Sequence, residues 1–333
     1  MNESNMNESN MNESKTKNPS LCDLLNIEHP IIMAPMFLVS NAEMLIQASK
    51  SGITGCIPAL NFRTDEAFRT AIKEIRSKST GPIGVNLIVN KSNVKFKQQL
   101  KSCIDLKIDY IITSLGSPET TIKACKPHGI KVFCDVIDVK YAKKVEDLGC
   151  DAIIAVNKEA GGHCGPTSAN QLIPQLKSAC NLPIISAGGV SNGKQMREIL
   201  ELGACGISMG SPFIATFEAD VSDAYKHAVV DYGAKDIVLT EKLSGSPCTV
   251  INTPYVQKIG TKRNFIENIL SKNKKLKKFV KMLTWYKGTR ALKNAAFNTT
   301  YDTVWCAGPS IEGVKSIRPV KQVVQELLEE YNT

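Results

Sequence analysis

The hydrophobic and polar positions of the chain alternate regularly from about residue 21 onwards. Short runs of apolar and β-branched residues are separated by longer stretches in which apolar residues recur at helical spacing. The short runs predict eight strands: Ile31–Met36, Ile53–Ala59, Ile83–Val89, Tyr110–Ser114, Lys131–Val136, Ala152–Val156, Pro183–Ala187 and Gly206–Met209. The longer stretches predict helices over Asn41–Ser51, Asp65–Ser77, Val94–Leu106, Pro118–Lys126, Val139–Leu148, Ser168–Cys180 and Gly193–Leu202. Most of the strands are apolar throughout, which is typical of a parallel sheet buried on both faces.

Glycine stands at several of the predicted helix-to-strand junctions. Gly52, Gly149 and Gly203 each follow the end of a helix-like stretch and precede a strand. Glycine past a helix end adopts the left-handed conformation at little cost. Strands and helices that alternate in units of roughly 20–30 residues indicate an α/β fold of the TIM (β/α)8 barrel type, which we favour over a doubly wound open sheet.

The chain divides into four predicted segments. Residues 1–18, of which residues 1–14 repeat the polar sequence Met-Asn-Glu-Ser, cannot bury a core, so we expect a disordered tail. Residues 19–217 are predicted to form the barrel core, residues 218–312 an insertion, and residues 313–333 the closing helix, with apolar residues at helical spacing from Val320 to Leu328. We expect the insertion to lie over the catalytic end of the barrel, as a lid or a substrate wall.

Composition and cysteine usage restrict the class of protein. Hydrophobic residues make up 43% of the chain and charged residues 22%, as in ordinary globular proteins. No apolar run is long enough to span a membrane, and the N-terminus lacks the apolar segment of a secretory signal. The eleven cysteines include no CxxC pair, which argues against a disulfide framework or a zinc site. We therefore expect a cytoplasmic protein without a metal.

Positive charge is concentrated in one segment. The net charge is +9, but residues 258–293 contain twelve basic residues against one acidic residue, Glu267, so the remainder of the chain carries −2. The run Lys272–Lys281 is followed by Trp285 and Tyr286, a combination that could bind RNA or a membrane surface. We favour a solvated face of the insertion, and expect no nucleic-acid partner.

Glycines follow the last two predicted barrel strands, where TIM barrels commonly bind phosphate. The seventh strand leads into Ser186-Ala187-Gly188-Gly189-Val190, and the eighth into Ser208-Met209-Gly210-Ser211. Glycines let backbone amides approach an anion closely, and the helix that follows adds its dipole. The chain has neither a GxGxxG motif after the first strand nor a GxxxxGK[ST] motif. The pattern therefore favours a mononucleotide cofactor over a dinucleotide.

A histidine among glycines follows the sixth strand, in Glu159-Ala160-Gly161-Gly162-His163-Cys164-Gly165. The glycines would let a substrate approach the imidazole, which can accept or donate a proton near neutral pH. We predict that His163 is catalytic. Cys164 could be a nucleophile, but adjacent side chains rarely face each other productively, so we do not favour this role.

Two further segments are candidates for contact with a flat ring. The apolar mouth of the first strand, Ala34-Pro35-Met36, suits an aromatic ring, although simple packing would explain it equally well. Asn86 is a polar residue inside an apolar strand and needs hydrogen-bond partners if it is buried. A ring carbonyl or a phosphate oxygen could satisfy it.

Taken in order, these motifs resemble the nitronate monooxygenase (2-nitropropane dioxygenase) family of FMN-dependent barrels. The resemblance covers residues 21–217, and a weaker similarity extends to Trp305-Cys306-Ala307-Gly308 and the last predicted helix. It implies FMN as the cofactor, with its phosphate on Gly188, Gly189, Gly210 and Ser211, Asn86 at the flavin, and His163 facing the substrate. It further implies that an alkyl nitronate is oxidised with O2 to a carbonyl compound and nitrite. The complete cofactor-binding set would be Ala34, Pro35, Met36, Asn86, Val156, Gly161, Gly162, Ala187, Gly188, Gly189, Ser208, Met209, Gly210 and Ser211.

The sequence also departs from the family pattern. Val156 stands where family members often carry Gln or Glu, Asn157 and Lys158 replace a glycine-containing step, Cys164 stands where Arg or Ile is usual, and Ser211 where Thr is common. These changes affect the expected substrate more than the cofactor. The scaffold is also similar to FMN-dependent enoyl-thioester reductases and NAD(P)H:quinone reductases, so reduction by NAD(P)H is the alternative activity. A homodimer is compatible with either activity.

Overall fold

The strands form a closed parallel barrel and a separate small sheet. The structure is a computed structural model that describes residues 19–243, 246–262 and 304–333. Its strands are β1 (Ile31–Met33), β2 (Thr54–Pro58), β3 (Ile83–Ile88), β4 (Tyr110–Ser114), β5 (Lys131–Val136), β6 (Ala152–Val156), β7 (Gly162–His163), β8 (Ile184–Ala187), β9 (Gly206–Met209), β10 (Ile237–Thr240) and β11 (Cys248–Ile251). The barrel order is β1-β2-β3-β4-β5-β6-β8-β9, and β9 pairs back onto β1. The predicted TIM barrel is confirmed.

Helices follow the barrel strands along the chain. They are α1 (Leu21–Leu25), α2 (Ala42–Lys50), α3 (Asp65–Lys78), α4 (Phe96–Asp105), α5 (Glu119–Cys125), α6 (Val139–Asp147), α7 (Ala169–Ala179), α8 (Gly193–Glu201), α9 (Ser211–Ile214), α10 (Asp223–Asp231), α11 (Pro254–Ile259) and α12 (Val320–Asn332). Several begin at a side chain that accepts a hydrogen bond from the first turn, as Asn41, Thr64, Asp138 and Asn192 do. Such caps satisfy amides that the helix itself leaves unpaired.

The barrel interior is filled by large side chains. Tyr110 and Phe133 are fully buried there with stacked rings, and the Tyr110 hydroxyl donates to the Gly55 carbonyl. A Cβ at Gly84 would lie 2.2 Å from the Tyr110 ring. Gly84 therefore makes room for this packing, and Asn86, two residues further along β3, reaches the mouth of the barrel.

The last helix completes the ring of helices. α12 packs against α8 and α2, with Val320, Val323, Val324 and Leu327 buried. A Cβ at Gly193 would lie 2.1 Å from the Tyr331 amide nitrogen, so only glycine permits this close contact between α8 and α12. The predicted strand Ile31–Met36 is shorter in the structure, ending at Met33. Pro35 has no N–H with which to continue the ladder.

Residues from the insertion build the small sheet. β10 and β11 are antiparallel, and β11 also pairs with β7, which places Cys248 opposite His163. The strands β7 and β11 were not among the strands predicted from the sequence. Tyr225, Leu243 and Cys248 line the cavity at the barrel mouth, where a substrate wall was predicted.

Two of the predicted segments lie outside the described residues. These are the tail, residues 1–18, and nearly all of the basic segment, of which residues 263–293 are not described. Within the described ranges, no helix is both long enough and apolar enough to cross a membrane.

Candidate active site

A cavity of about 630 Å³ opens at the carboxyl ends of the barrel strands. The structure brings all of the predicted site residues together in its wall: Ala34, Pro35, Met36, Asn86, Val156, Gly161, Gly162, His163, Ala187, Gly188, Gly189, Ser208, Met209, Gly210 and Ser211. These residues come from strand ends that are as much as about 180 positions apart in the sequence, and the closed barrel makes them neighbours.

His163 faces this cavity from the short strand β7. Gly162 precedes it with a φ of +76°, in the left-handed region that other residues rarely adopt, so the turn that presents the imidazole depends on glycine. The surrounding protein lowers the pKa of His163 below its usual range, because burial penalises the charged imidazolium. A lowered pKa favours the neutral imidazole, which is the form that can accept a proton.

The loop that carries His163 is tied to the barrel by Asn157. The Asn157 side chain is buried, donates to the Gly188 carbonyl at 3.0 Å and accepts from the Glu159 amide at 2.8 Å. A second connection comes from the insertion, where the Thr249 hydroxyl donates to the Ala160 carbonyl at 2.6 Å. The sequence showed Asn157 only as a departure from a family pattern and gave no sign of Thr249.

The two glycines after β8 have backbone conformations that side chains disfavour. Gly188 and Gly189 have φ angles of +109° and +85°. A Cβ at Gly188 would lie 2.4 Å from the Ala160 amide nitrogen, so the two loops can approach only because this residue is glycine. Among the described residues, the amides of Gly189 and Gly210 donate to no protein acceptor. They are available to a bound anion.

Two other predicted anion contacts already have partners within the protein. The Ser211 hydroxyl accepts a hydrogen bond from the Gly308 amide at 2.9 Å, which leaves its own O–H free to donate elsewhere. The first turn of α8 is also capped. The Gly193 amide donates to Glu330, and the Gln195 amide donates to Asn192. The turn amides, rather than the start of this helix, are thus the principal free donors.

A chain of polar side chains crosses the opposite wall of the cavity. Asn86 donates to the Ile112 carbonyl at 3.1 Å and to the Ser114 hydroxyl at 2.8 Å, and Ser114 donates to the Asp135 carboxylate at 2.5 Å. Burial raises the pKa of Asp135 to about 6. Ser114 and Asp135 were not predicted as site residues, although a carboxylate inside an otherwise apolar strand is a signal of a functional position.

The charged lining is acidic. Asp135, Asp138 and Glu159 line the cavity, and no Lys or Arg of the described ranges does so. Cys164 also lines the cavity, where burial raises the pKa of its thiol. Because the thiolate is the reactive form, this environment does not favour Cys164 as a nucleophile.

The chain is similar to a protein family, to curated proteins and to solved structures. The nitronate monooxygenase family model matches residues 91–330. A probable nitronate monooxygenase of Staphylococcus saprophyticus is 30% identical over 71% of this chain and 79% of its own length. An octahydro-indene-carboxyl-CoA dehydrogenase of Rhodococcus jostii is 27% identical over 87% of this chain and 81% of its own length. The solved structure of FabK from Thermotoga maritima has a TM-score of 0.82 and 30% identity, covering 94% of this chain and 95% of that chain.

Proposed function

Since this chain belongs to the nitronate monooxygenase family, whose members are flavin-dependent oxidoreductases, we propose that it is an FMN-dependent nitronate monooxygenase. It would oxidise alkyl nitronates with O2 to a carbonyl compound and nitrite. One observation carries the proposal: His163 lines the same cavity as Gly189 and Gly210, whose amides donate to no acceptor among the described residues.

The chemistry of the cavity fits FMN, and its volume of about 630 Å³ is typical of small-molecule sites. The amides of Gly189 and Gly210 and the hydroxyl of Ser211 would hold the terminal phosphate, since all three are hydrogen-bond donors without a charge of their own to desolvate. Met36 lies beside Gly210, with its Sδ 3.4 Å from the position that a Gly210 Cβ would take. Its side chain would give the flavin ring an apolar neighbour. When bound, FMN would supply the two-electron redox chemistry that no amino-acid side chain here provides.

His163 would orient the substrate. A nitronate is an anion, and a neutral imidazole can donate its single N–H to a nitronate oxygen. If the neutral nitroalkane enters instead, the same ring can accept its α-proton because the lowered pKa keeps a nitrogen unprotonated. Leu243 and Val304, from the segment between β9 and α12, would shield the reacting atoms from water.

A second activity is favoured by the charge of the lining. Without Lys or Arg among the described lining residues, an anionic nitronate would find no side-chain cation unless His163 were protonated. A neutral acyl thioester avoids this cost, and the Rhodococcus jostii relative is named as a carboxyl-CoA dehydrogenase. The second candidate is therefore an FMN-dependent oxidoreductase of thioesters or quinones that exchanges electrons with NAD(P)H.

Anaerobic spectroscopy separates the two activities. The purified protein should absorb at about 450 nm, as oxidised flavin does. We expect the nitronate of 2-nitropropane to bleach this band and O2 to restore it with release of nitrite. Bleaching by NADH or NADPH, with the nitronate inert, would replace the proposal with the second candidate. A colourless protein that cannot be reconstituted with FMN would overturn both.

A further inference from the structure

Asp135 is an ionisable group in the cavity that the proposed reaction does not use. It lies on β5 among apolar neighbours, and its carboxyl borders the cavity together with Ser114 and Asn86 from the two adjacent strands. Ser114 donates to Oδ2, whereas no described group of the protein donates to Oδ1. One oxygen is thus fixed by the barrel, and the other is open to a ligand.

The hydrogen bonds that link Asn86, Ser114 and Asp135 all point the same way, from Asn86 towards Asp135. Asn86 uses one N–H for the Ile112 carbonyl and the other for Ser114, and Ser114 uses its only O–H for Asp135. The donors of Asn86 and Ser114 are therefore all directed at acceptors within the protein. Of these three side chains, only Asp135, when protonated, can donate a proton into the cavity.

The surroundings of Asp135 disfavour its negative charge. The titratable groups near it are Cys56 on β2 and Tyr141 on α6, neither of which supplies a positive charge. The cavity wall also carries the carboxyl groups of Asp138 and Glu159 and the imidazole of His163, together with the thiols and phenol of Cys164, Cys248, Cys306 and Tyr225, and none of these is a lysine or an arginine. Within the described residues no basic side chain pairs with Asp135, and burial, partly offset by the Ser114 hydrogen bond, raises its pKa to about 6. The carboxyl is poised to take up a proton when more negative charge enters the cavity.

We propose that Asp135 takes up one proton when the flavin bound in this cavity is reduced. This inference rests on the proposed function, because it requires the flavin to occupy the cavity. Two electrons and one proton convert oxidised flavin to its singly anionic reduced form. A second proton from solvent converts the Asp135 carboxylate to the carboxylic acid, which offers a donor to the new negative charge. The electrons come from the substrate or, in the experiment, from dithionite.

The test is the pH dependence of the flavin midpoint potential in the purified, flavin-loaded protein. For a two-electron couple, each proton taken up changes the potential by about 30 mV per pH unit. Below about pH 6, Asp135 is already protonated, and we expect about 30 mV per pH unit. Above about pH 6, the second proton is added and the slope should double to about 60 mV. Protonation of the reduced flavin itself would give the opposite order, with the steeper slope at low pH.

Variants assign the second proton to Asp135. Asp135→Asn should give about 30 mV per pH unit throughout, whereas Asp135→Glu should keep the steep limb. Ser114→Ala should move the onset of that limb to higher pH, because the Ser114 hydrogen bond lowers the pKa of Asp135. Asp138→Asn, three residues away on the same wall, keeps its cap on α6 and should behave like the wild type.

The outcomes are distinct from those that test the function. If the wild type shows a single slope of about 30 mV per pH unit, or if Asp135→Asn retains the steep limb, the inference is wrong while a flavin enzyme remains. If no flavin binds, the proposed function fails first. The wild-type curve suffices for the test even where Asp135→Asn does not fold.

Discussion

Two opposite walls of the cavity present different chemical groups, backbone amides on one side and polar side chains on the other. One, which we call the glycine wall, consists of Gly188, Gly189 and Gly210 and offers backbone amides. The other, the polar chain, consists of Asn86, Ser114 and Asp135 and offers side chains linked by hydrogen bonds. The backbone of the glycine wall does not titrate, whereas the polar chain ends in a carboxyl with a pKa of about 6. One wall can hold a fixed anion at any pH, and the other can follow a change of charge.

The two walls also tolerate substitution differently. In the glycine wall, the φ angles of +109° at Gly188 and +85° at Gly189 exclude most side chains, so almost any change at these two positions alters the backbone. In the polar chain, each residue has ordinary strand geometry and can be replaced by an isosteric side chain. Loss of binding is therefore expected from the first wall, and a changed pH dependence from the second.

The largest effect is expected at His163, which lies between the two walls. His163→Ala should lower kcat with the preferred substrate by about 10²–10⁴-fold while the flavin stays bound, since a positioned acid–base group commonly contributes this much. Steady-state kinetics and the flavin spectrum measure both quantities. His128→Ala, at an exposed histidine in a turn, is the control. Equal turnover in the two variants would remove His163 from the mechanism.

The next effect is expected at the glycine wall. Gly189→Val should weaken FMN binding roughly a hundredfold, because valine at a φ of +85° costs about 1–3 kcal/mol and its side chain would displace the turn amides. Fluorescence titration of the flavin-free protein with FMN measures the affinity.

Gly149→Val separates strain from lost binding. Gly149 has nearly the same φ, +82°, and a Cβ there meets nothing within 4 Å. Gly149→Val should lose about as much unfolding free energy as Gly189→Val and should keep the wild-type affinity for FMN. If Gly189→Val binds FMN like the wild type, the phosphate does not lie on this wall.

A smaller effect is expected from the polar chain, and it depends on pH. The pKa of Asp135 is about 6 in the folded protein and about 3.9 in an unfolded chain, so folding is penalised once the carboxyl ionises. The wild type should lose up to about 2 kcal/mol of unfolding free energy from this group as the pH rises from about 4 to about 6.

Asp135→Asn removes that loss. The variant should therefore become more stable relative to the wild type between about pH 4.5 and about pH 7.5, as measured by urea unfolding at both values. Asp138→Asn, which retains a capping side chain at α6, controls for the substitution itself. A constant difference between Asp135→Asn and the wild type would show that Asp135 has an ordinary pKa.

The sequence predicted the barrel and the glycine wall because their signals are local. Continuous apolar runs mark buried parallel strands, and motifs such as Ala187-Gly188-Gly189-Val190 place several functional groups in adjacent positions. His163 was found in the same way, from the glycines around it. The structure places each of these residues in one cavity, and their roles remain predictions.

The polar chain was not predicted because its members are distant in sequence. Asn86, Ser114 and Asp135 lie on three separate strands, and only the barrel register makes them neighbours. Asn86 was expected to need hydrogen-bond partners, for which a cofactor oxygen was one candidate, and in the structure its two N–H groups donate to Ile112 and Ser114. Likewise, β7 is two residues long and pairs with β11 about 85 positions away, which no local pattern reveals.

The smallest effect is expected where the insertion contacts the His163 loop. Thr249 is buried, and its hydroxyl donates to the Ala160 carbonyl at 2.6 Å, three residues before His163. Thr249→Val keeps the shape of the side chain and removes this donor, which should cost about 1 kcal/mol of unfolding free energy. Because the loop is still held by Asn157, FMN affinity should not change, whereas kcat should fall severalfold as the imidazole loses its fixed position. Thr240→Val, at a buried threonine of β10 outside the cavity lining, is the matched control. Equal kcat in the two variants would mean that the barrel alone positions His163 and that the insertion only covers it.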